Sequence, residues 1–309
     1  MAARTLKLIL LLLLQAVLLL SVQADDFPSQ FGMNSKTLIW DESCNKANPS
    51  NPQESRRAGV ERAWMGALEL SNMAWMRFQH VTWPIIQRTM IDTTEEKHIH
   101  VNDPAYVLLF ALDSSKEGRD KILETLKNLN DLLNLGPGDD DCGQVLKISC
   151  ADTHYMEGED QCHGAYAATE SYMDQDTSVI TFCPQFWTKP RFDQLKHNPE
   201  EVEARYQNPN YKGTDAETVV HEFSHLWWIG ETNADDETVP EVYGLAQCAY
   251  LAWNDGEPIP NNEQVIENAD TYGYYHEWGY FRMQKIHNLW PQGMAPPKIK
   301  IPIQNWRGR

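Results

Sequence analysis

The stretch that most constrains this chain runs from Gly213 to Gly230, with His221-Glu222-Phe223-Ser224-His225 at its centre. Residues four apart lie on one face of a helix, so both imidazoles of an H-E-x-x-H can reach a single metal ion. Glu222, beside the first histidine, then overhangs the open metal position, where a carboxylate can take a proton from bound water. The flanks specify a helix. Thr214 and Glu217 form a T-x-x-E capping box at its start, and Gly230 supplies a stop. Val219, Val220, Phe223, Leu226, Trp227 and Ile229 provide the apolar sides that a core would hold. Two histidines make only two ligands, and a complete site needs a third.

The first 24 residues have the order of a secretory signal. Arg4 and Lys7 give a positive start, Leu8 to Leu20 an apolar run, and Val22-Gln23-Ala24 a small-x-small cleavage site. That run is 13 residues with Gln15 inside it, shorter than a bilayer span. The expectation is a secreted, extracellular product with no membrane attachment after signal removal. Formal charge is −18, and loss of Arg4 and Lys7 takes it to −20. Such an acidic balance argues against nucleic acid and anionic membranes as partners.

Six cysteines follow the signal: Cys44, Cys142, Cys150, Cys162, Cys183 and Cys248. An even count in an exported chain points to three disulfides, with connectivity open. Cys162 and Cys183 stand at either end of a hairpin-like segment, a placement that suits a pair. Short tracts elsewhere also carry metal-capable groups. His98-Ile99-His100 and Asp139-Asp140-Asp141 lack further spaced ligands and fit solvated loops better.

Periodicity predicts a short strand at Thr37–Trp40 and a long helix from Pro52 to about His80, then a possible helix from Ile85 to Met90. A buried strand is expected from Ala105 to Leu112 and a helix from about Lys116 to Leu135. Strands are expected at Gln144–Ser149 and Ser178–Cys183. The polar, proline-bearing stretch from Phe186 to Tyr211 suits a surface loop or lid. Helical patterns return at Leu245–Trp253 and over about 261–287, before a Pro-rich basic tail from Pro291 to Arg309. The organisation read from this is a signal at 1–24, one domain over 25–256, and an extension over 257–309 packed on the same domain.

An ordered set of features resembles the fungal deuterolysin-like zinc metallopeptidases, the aspzincins. Cys44 precedes a long helix, and Ile180-Thr181-Phe182-Cys183-Pro184-Gln185-Phe186 leads to the H-E-x-x-H. Tyr243-Gly244 follows it. The likeness covers roughly residues 37–253 and is strongest over 178–250. It implies an α+β, zincin-like metallopeptidase fold, mostly helical, with a small mixed sheet and an H-E-x-x-H active helix. It further implies a secreted endopeptidase acting on peptide or protein substrates with one catalytic Zn²⁺. His221 and His225 match the family's zinc ligands, Glu222 its general base and Tyr243 its tyrosine.

The family's third ligand is an aspartate three residues before that tyrosine, in Gly-Thr-x-Asp-x-x-Tyr-Gly. Pro240 stands at this position and cannot ligate. Glu241, one residue on, offers a chemically equivalent carboxylate oxygen. Asp235 or Asp236 is the second possibility, since Gly230-x-Thr232-x-x-Asp235 echoes the family's spacing. A third is no carboxylate at all, leaving a catalytically inactive, exported zinc-binding or antigen protein. Oligomeric state and cleavage preference are not legible.

Overall fold

The computed structural model describes residues 38–78, 104–110, 116–134, 145–156, 159–171, 177–208, 210–232, 241–254, 257–258 and 263–284. The proposed signal, the Ile85–Met90 helix, His98 and His100, Asp139–Asp141, Cys142, Asp235, Asp236, Pro240 and the Pro-rich tail lie outside them. The architecture is α+β, mostly helical with a small mixed sheet.

The strands run β1 (Leu38–Trp40), β2 (Ala47–Asn48), β3 (Asn51–Ser55), β4 (Val145–Ser149), β5 (Tyr155–Met156), β6 (Glu159–Asp160), β7 (Ala167–Glu170), β8 (Thr177–Phe182), β9 (Trp253–Asn254) and β10 (Glu257–Pro258). The principal sheet has the order β1-β4-β8-β7. β1, β4 and β8 are parallel, and β7 lies antiparallel along β8 as an edge strand. The helices are α1 (Arg56–Arg77), α2 (Pro104–Phe110), α3 (Lys116–Asn134), α4 (Phe192–Leu195), α5 (Pro199–Tyr206), α6 (Asp215–Ser224), α7 (Leu245–Ala252), α8 (Glu263–Glu267) and α9 (Ala269–Met283).

α6 carries His221 and Glu222, with His225 as its C-cap, and lies between α1, α9 and β7. It is short and buried along its whole length because helices cover it on two sides and the sheet on a third. Phe223 meets the edge of Trp64 on α1 at 4.7 Å between ring centres. Each such buried aromatic removes some 150–250 Å² from water, which makes this contact a main tie between the site and the core.

Several expectations are corrected. The Ala105–Leu112 strand is helix α2, its Tyr106, Leu108, Leu109 and Phe110 buried under α9 and α7. A short continuous apolar run does not distinguish a buried strand from a buried helix. The Phe186–Tyr211 loop is instead a 3-10 turn at Pro184–Thr188 followed by α4 and α5. Phe186, Trp187, Phe192, Leu195, Val202 and Tyr206 on it are buried. Residues 51–55 are strand β3, so α1 begins at Arg56, capped by the Ser55 hydroxyl. The last helical pattern divides into α8 and α9 at Asn268.

Among the described residues two disulfides form, Cys44–Cys150 and Cys162–Cys183. The expected third bridge does not include Cys248, which is free and buried on α7. Its thiol donates to Val242 O at 3.7 Å and accepts from Asn268 Nδ2 at 3.4 Å. No helix of the described residues is long and apolar enough to cross a membrane. The disulfides are compatible with an exported protein.

Candidate metal centre

Local sequence sets up α6 only in part. Thr214 caps it as expected, its side chain accepting from Glu217 N at 3.3 Å. Glu217 does not complete the capping box. It turns to Lys189, whose Nζ lies 3.1 Å from Glu217 Oε2, and burial pushes its pKa up to about 8. Thr214 N donates instead to Glu277 Oε2 of α9 at 2.9 Å. Gly213 sits at φ 75 just before the cap, where a Cβ would come within 2.4 Å of Glu217 Oε2. Only glycine combines that backbone with that space.

The helix ends at Ser224, with His225 as its C-cap, five residues before Gly230. Leu226 O gathers Ile229 N, Gly230 N and Glu231 N in a tight turn. Gly230 is required for close approach rather than as a stop, because a Cβ there would lie 2.7 Å from Thr125 of α3. This turn and α3 form the walls of a cleft of about 1090 Å³, with Trp227 and Trp228 on one side and Asp120 and Glu124 on the other.

His221 and His225 bring their Nε2 atoms within 3.3 Å of each other. Glu241 Oε1 comes from the chain ahead of α7 to 3.2 Å from His221 Nε2 and 3.7 Å from His225 Nε2. The three ligand atoms lie within 4.8 Å of one another. Of the carboxylates weighed from sequence, Glu241 is the one found beside the histidines; Asp235 and Asp236 lie outside the described residues.

The other ring nitrogens are engaged. His221 Nδ1 lies 2.7 Å from Asp270 Oδ1, and His225 Nδ1 lies 2.6 Å from Thr232 O. Donation of Nδ1–H to these acceptors leaves each Nε2 with its lone pair, the arrangement used by metal-bound imidazoles. Glu241 Oε1 is itself buried without a hydrogen-bond partner. Three electron-pair donors thus converge, one of them an orphaned buried oxygen, and two imidazoles plus a carboxylate suit a divalent cation of the zinc kind. The residues fit the ion.

The electrostatics make the same demand. Burial disfavours a charged His221, yet Glu241, Asp270 and Glu222 outweigh it and push its pKa up to about 10, so positive charge is favoured at Nε2 and a bound cation would take the place of its proton. Against its own burial, Asp270 is held below the usual carboxylate range by the His221 hydrogen bond and charge.

Glu222 is 4% exposed. Its Oε2 accepts from Thr169 Oγ1 of β7 at 2.7 Å, and its Oε1 lies 3.9 Å from His221 Nε2. Tyr243 stacks on His221 with ring centres 6.1 Å apart and donates its hydroxyl to Glu241 Oε2 at 2.6 Å.

Two residues at the α8–α9 break secure the Glu241 segment. Asn268 Oδ1 accepts from Val242 N at 2.8 Å, and Asp270 Oδ2 accepts from Gly244 N at 2.5 Å. Asp270 therefore touches both His221 and the segment that delivers Glu241. Sequence reasoning missed Asp270, Asn268, Thr169 and Thr232. No spacing rule ties Asp270 to a histidine 49 residues earlier, and backbone acceptors such as Thr232 O leave no trace in residue type.

The family of aspzincins, described as lysine-specific metallo-endopeptidases, matches residues 136–277. Residues 136–277, a little under half of the chain, are thus similar to this family. The match spans the sheet strands β4 to β8, α6, the Glu241 segment and Asp270. No curated protein matches the chain. Aspzincins are metallo-endopeptidases, so the family supports hydrolysis of peptide bonds.

Proposed function

We propose that this protein is an aspzincin, an exported zinc-dependent endopeptidase with His221, His225 and Glu241 as zinc ligands and Glu222 as general base. The observation that carries the reading is the convergence of two Nε2 atoms and the unpartnered Glu241 Oε1 within 4.8 Å. Residues 1–24 act as the export signal, and residues 25–256 with the 257–309 extension form the mature protein.

When bound, zinc lowers the pKa of a water toward about 7 and polarises the carbonyl to be attacked. Glu222 accepts the water proton and hands it to the leaving amine nitrogen, so the C–N bond breaks to a neutral amine. Asp270 and Thr232 O hold the imidazoles in the tautomer that leaves Nε2 free. Tyr243 steadies the second oxygen of Glu241. β7 is an edge strand, and an extended peptide can add to such an edge by main-chain hydrogen bonds. The family's description makes peptides containing lysine the first substrates to examine, and the acidic chain suits cationic ones.

The test is one preparation of mature protein, assayed for zinc content and for cleavage of a peptide library varying lysine on both sides of the bond. One zinc per chain with chelator-sensitive cleavage is expected. Full zinc without cleavage of any peptide would turn the reading to an inactive zinc-binding protein, and absence of bound metal would end both.

A further inference from the structure

We propose that Thr169 is a positioning residue that ties down one oxygen of Glu222 and leaves the other, Oε1, as the working base. The inference rests on the peptidase reading above for its chemistry, and on the geometry of β7 for its substance.

Glu222 stands on α6 with χ freedom of its own, and nothing in an H-E-x-x-H dictates which way its carboxylate turns. Here β7 decides. Thr169 Oγ1 donates to Glu222 Oε2 at 2.7 Å and also lies 3.3 Å from Glu222 O, so one hydroxyl reaches both the head group and the backbone of the same residue. Oε1 is left on the side of His221 Nε2, 3.9 Å away. A proton taken from water beside the ligand nitrogens therefore goes to Oε1. The oxygen already accepting a hydrogen bond keeps its place.

The strand is well fixed for this task. Thr169 pairs with Ile180 in the β7–β8 ladder, and Ile180 is fully buried. Two residues on, Ser171 Oγ accepts from Trp227 N at 2.8 Å and lies 3.1 Å from Ser178 Oγ of β8. Thr169 of β7 and Ser171, just after the strand, thus place two hydroxyls against α6 and its following turn, before and after His225. Ser171 holds the turn; Thr169 holds the carboxylate. Valine at 169 keeps the β-branched shape and the strand preference but removes the donor, whereas serine keeps the donor.

The experiment compares Thr169→Val with Thr169→Ser in the full mature chain. For T169V, kcat is expected to fall about 10- to 100-fold, the scale of a misplaced catalytic group, with KM and zinc content unchanged; T169S should recover most of it. A readout independent of turnover is the Glu222 carboxylate in crystal structures of both variants without metal: turned away in T169V, in place in T169S. A carboxylate that keeps its position in T169V overturns the proposal, as do equal kcat losses in the two variants. If the wild-type chain cleaves no peptide, the crystallographic comparison still decides for or against Thr169, so failure of the peptidase reading is recognised separately.

Discussion

At the scale of single residues, Glu222 and Asp215 show how burial assigns different tasks to two carboxylates of one helix. Glu222→Gln preserves shape and the ligand set but cannot accept a proton. It should retain stoichiometric zinc and lose peptide cleavage by about 10²- to 10⁴-fold, the usual worth of a positioned general base; zinc analysis and kinetics on one preparation check both halves. Asp215, 4% exposed, accepts from Phe192 N at 2.8 Å and Ala216 N at 2.9 Å. Burial nevertheless raises its pKa from 3.8 to about 6. Because the folded value lies above the unfolded one, its contribution to stability is complete below about pH 4 and is lost as pH rises through about 6. The interval of roughly two units corresponds to about 3 kcal/mol. Asp215→Asn should therefore gain about that much stability relative to wild type between pH 4 and pH 7, read from urea unfolding at each pH. A constant difference across that range would show that Asp215 does not titrate there.

At the scale of elements, the candidate metal centre is a meeting of four pieces: α6, the Glu241 segment, the start of α9 and β7. Asp270 is the joint between two of them, accepting from Gly244 N while bonded to His221 Nδ1. Asp270→Asn keeps its size but loses the charge facing the imidazole. It is expected to weaken zinc affinity about 10- to 100-fold, as removal of such partners does elsewhere; competition with a fluorescent chelator measures it, and wild-type affinity in the variant would refute the role. α6 itself was legible from sequence because His221 and His225 share a helical face and Thr214 marks a start. Its end was not, because the turn at Leu226–Glu231 packs against α3, far away in the chain, where Asn128 donates to Trp228 O and Ile229 O and Thr125 leaves no room for a Cβ on Gly230. α2 was misread for a related reason: an apolar run that is covered on every side has no period to display.

At the scale of the whole molecule, the disulfides and the core hold these pieces at fixed separations. Cys44–Cys150 closes a sequence separation of 106 and joins the segment before α1 to the end of β4, whereas Cys162–Cys183 closes only 21. Loop-closure entropy predicts about 4–5 kcal/mol for the longer link and about 3 kcal/mol for the shorter. Cys44→Ala with Cys150→Ala should lower the urea midpoint more than Cys162→Ala with Cys183→Ala, and the reverse order would contradict this ranking.

What the sequence determined by itself was the chemistry available: an H-E-x-x-H on a capped helix, a carboxylate at Glu241 beside the proline, and cysteines suited to an exported chain. Those signals are local, carried by spacings of a few residues that helix geometry converts directly into shared faces. Tertiary structure decided which carboxylate faces the histidines, which groups hold the far side of each imidazole, and which oxygen of Glu222 is free. Each of those depends on residues tens of positions apart that only packing brings together: Asp270 beside His221, Thr169 beside Glu222, Asn268 beside Val242. Side-chain hydrogen bonds across such distances have no periodicity, so their pattern exists only once α9 and β7 have closed on α6.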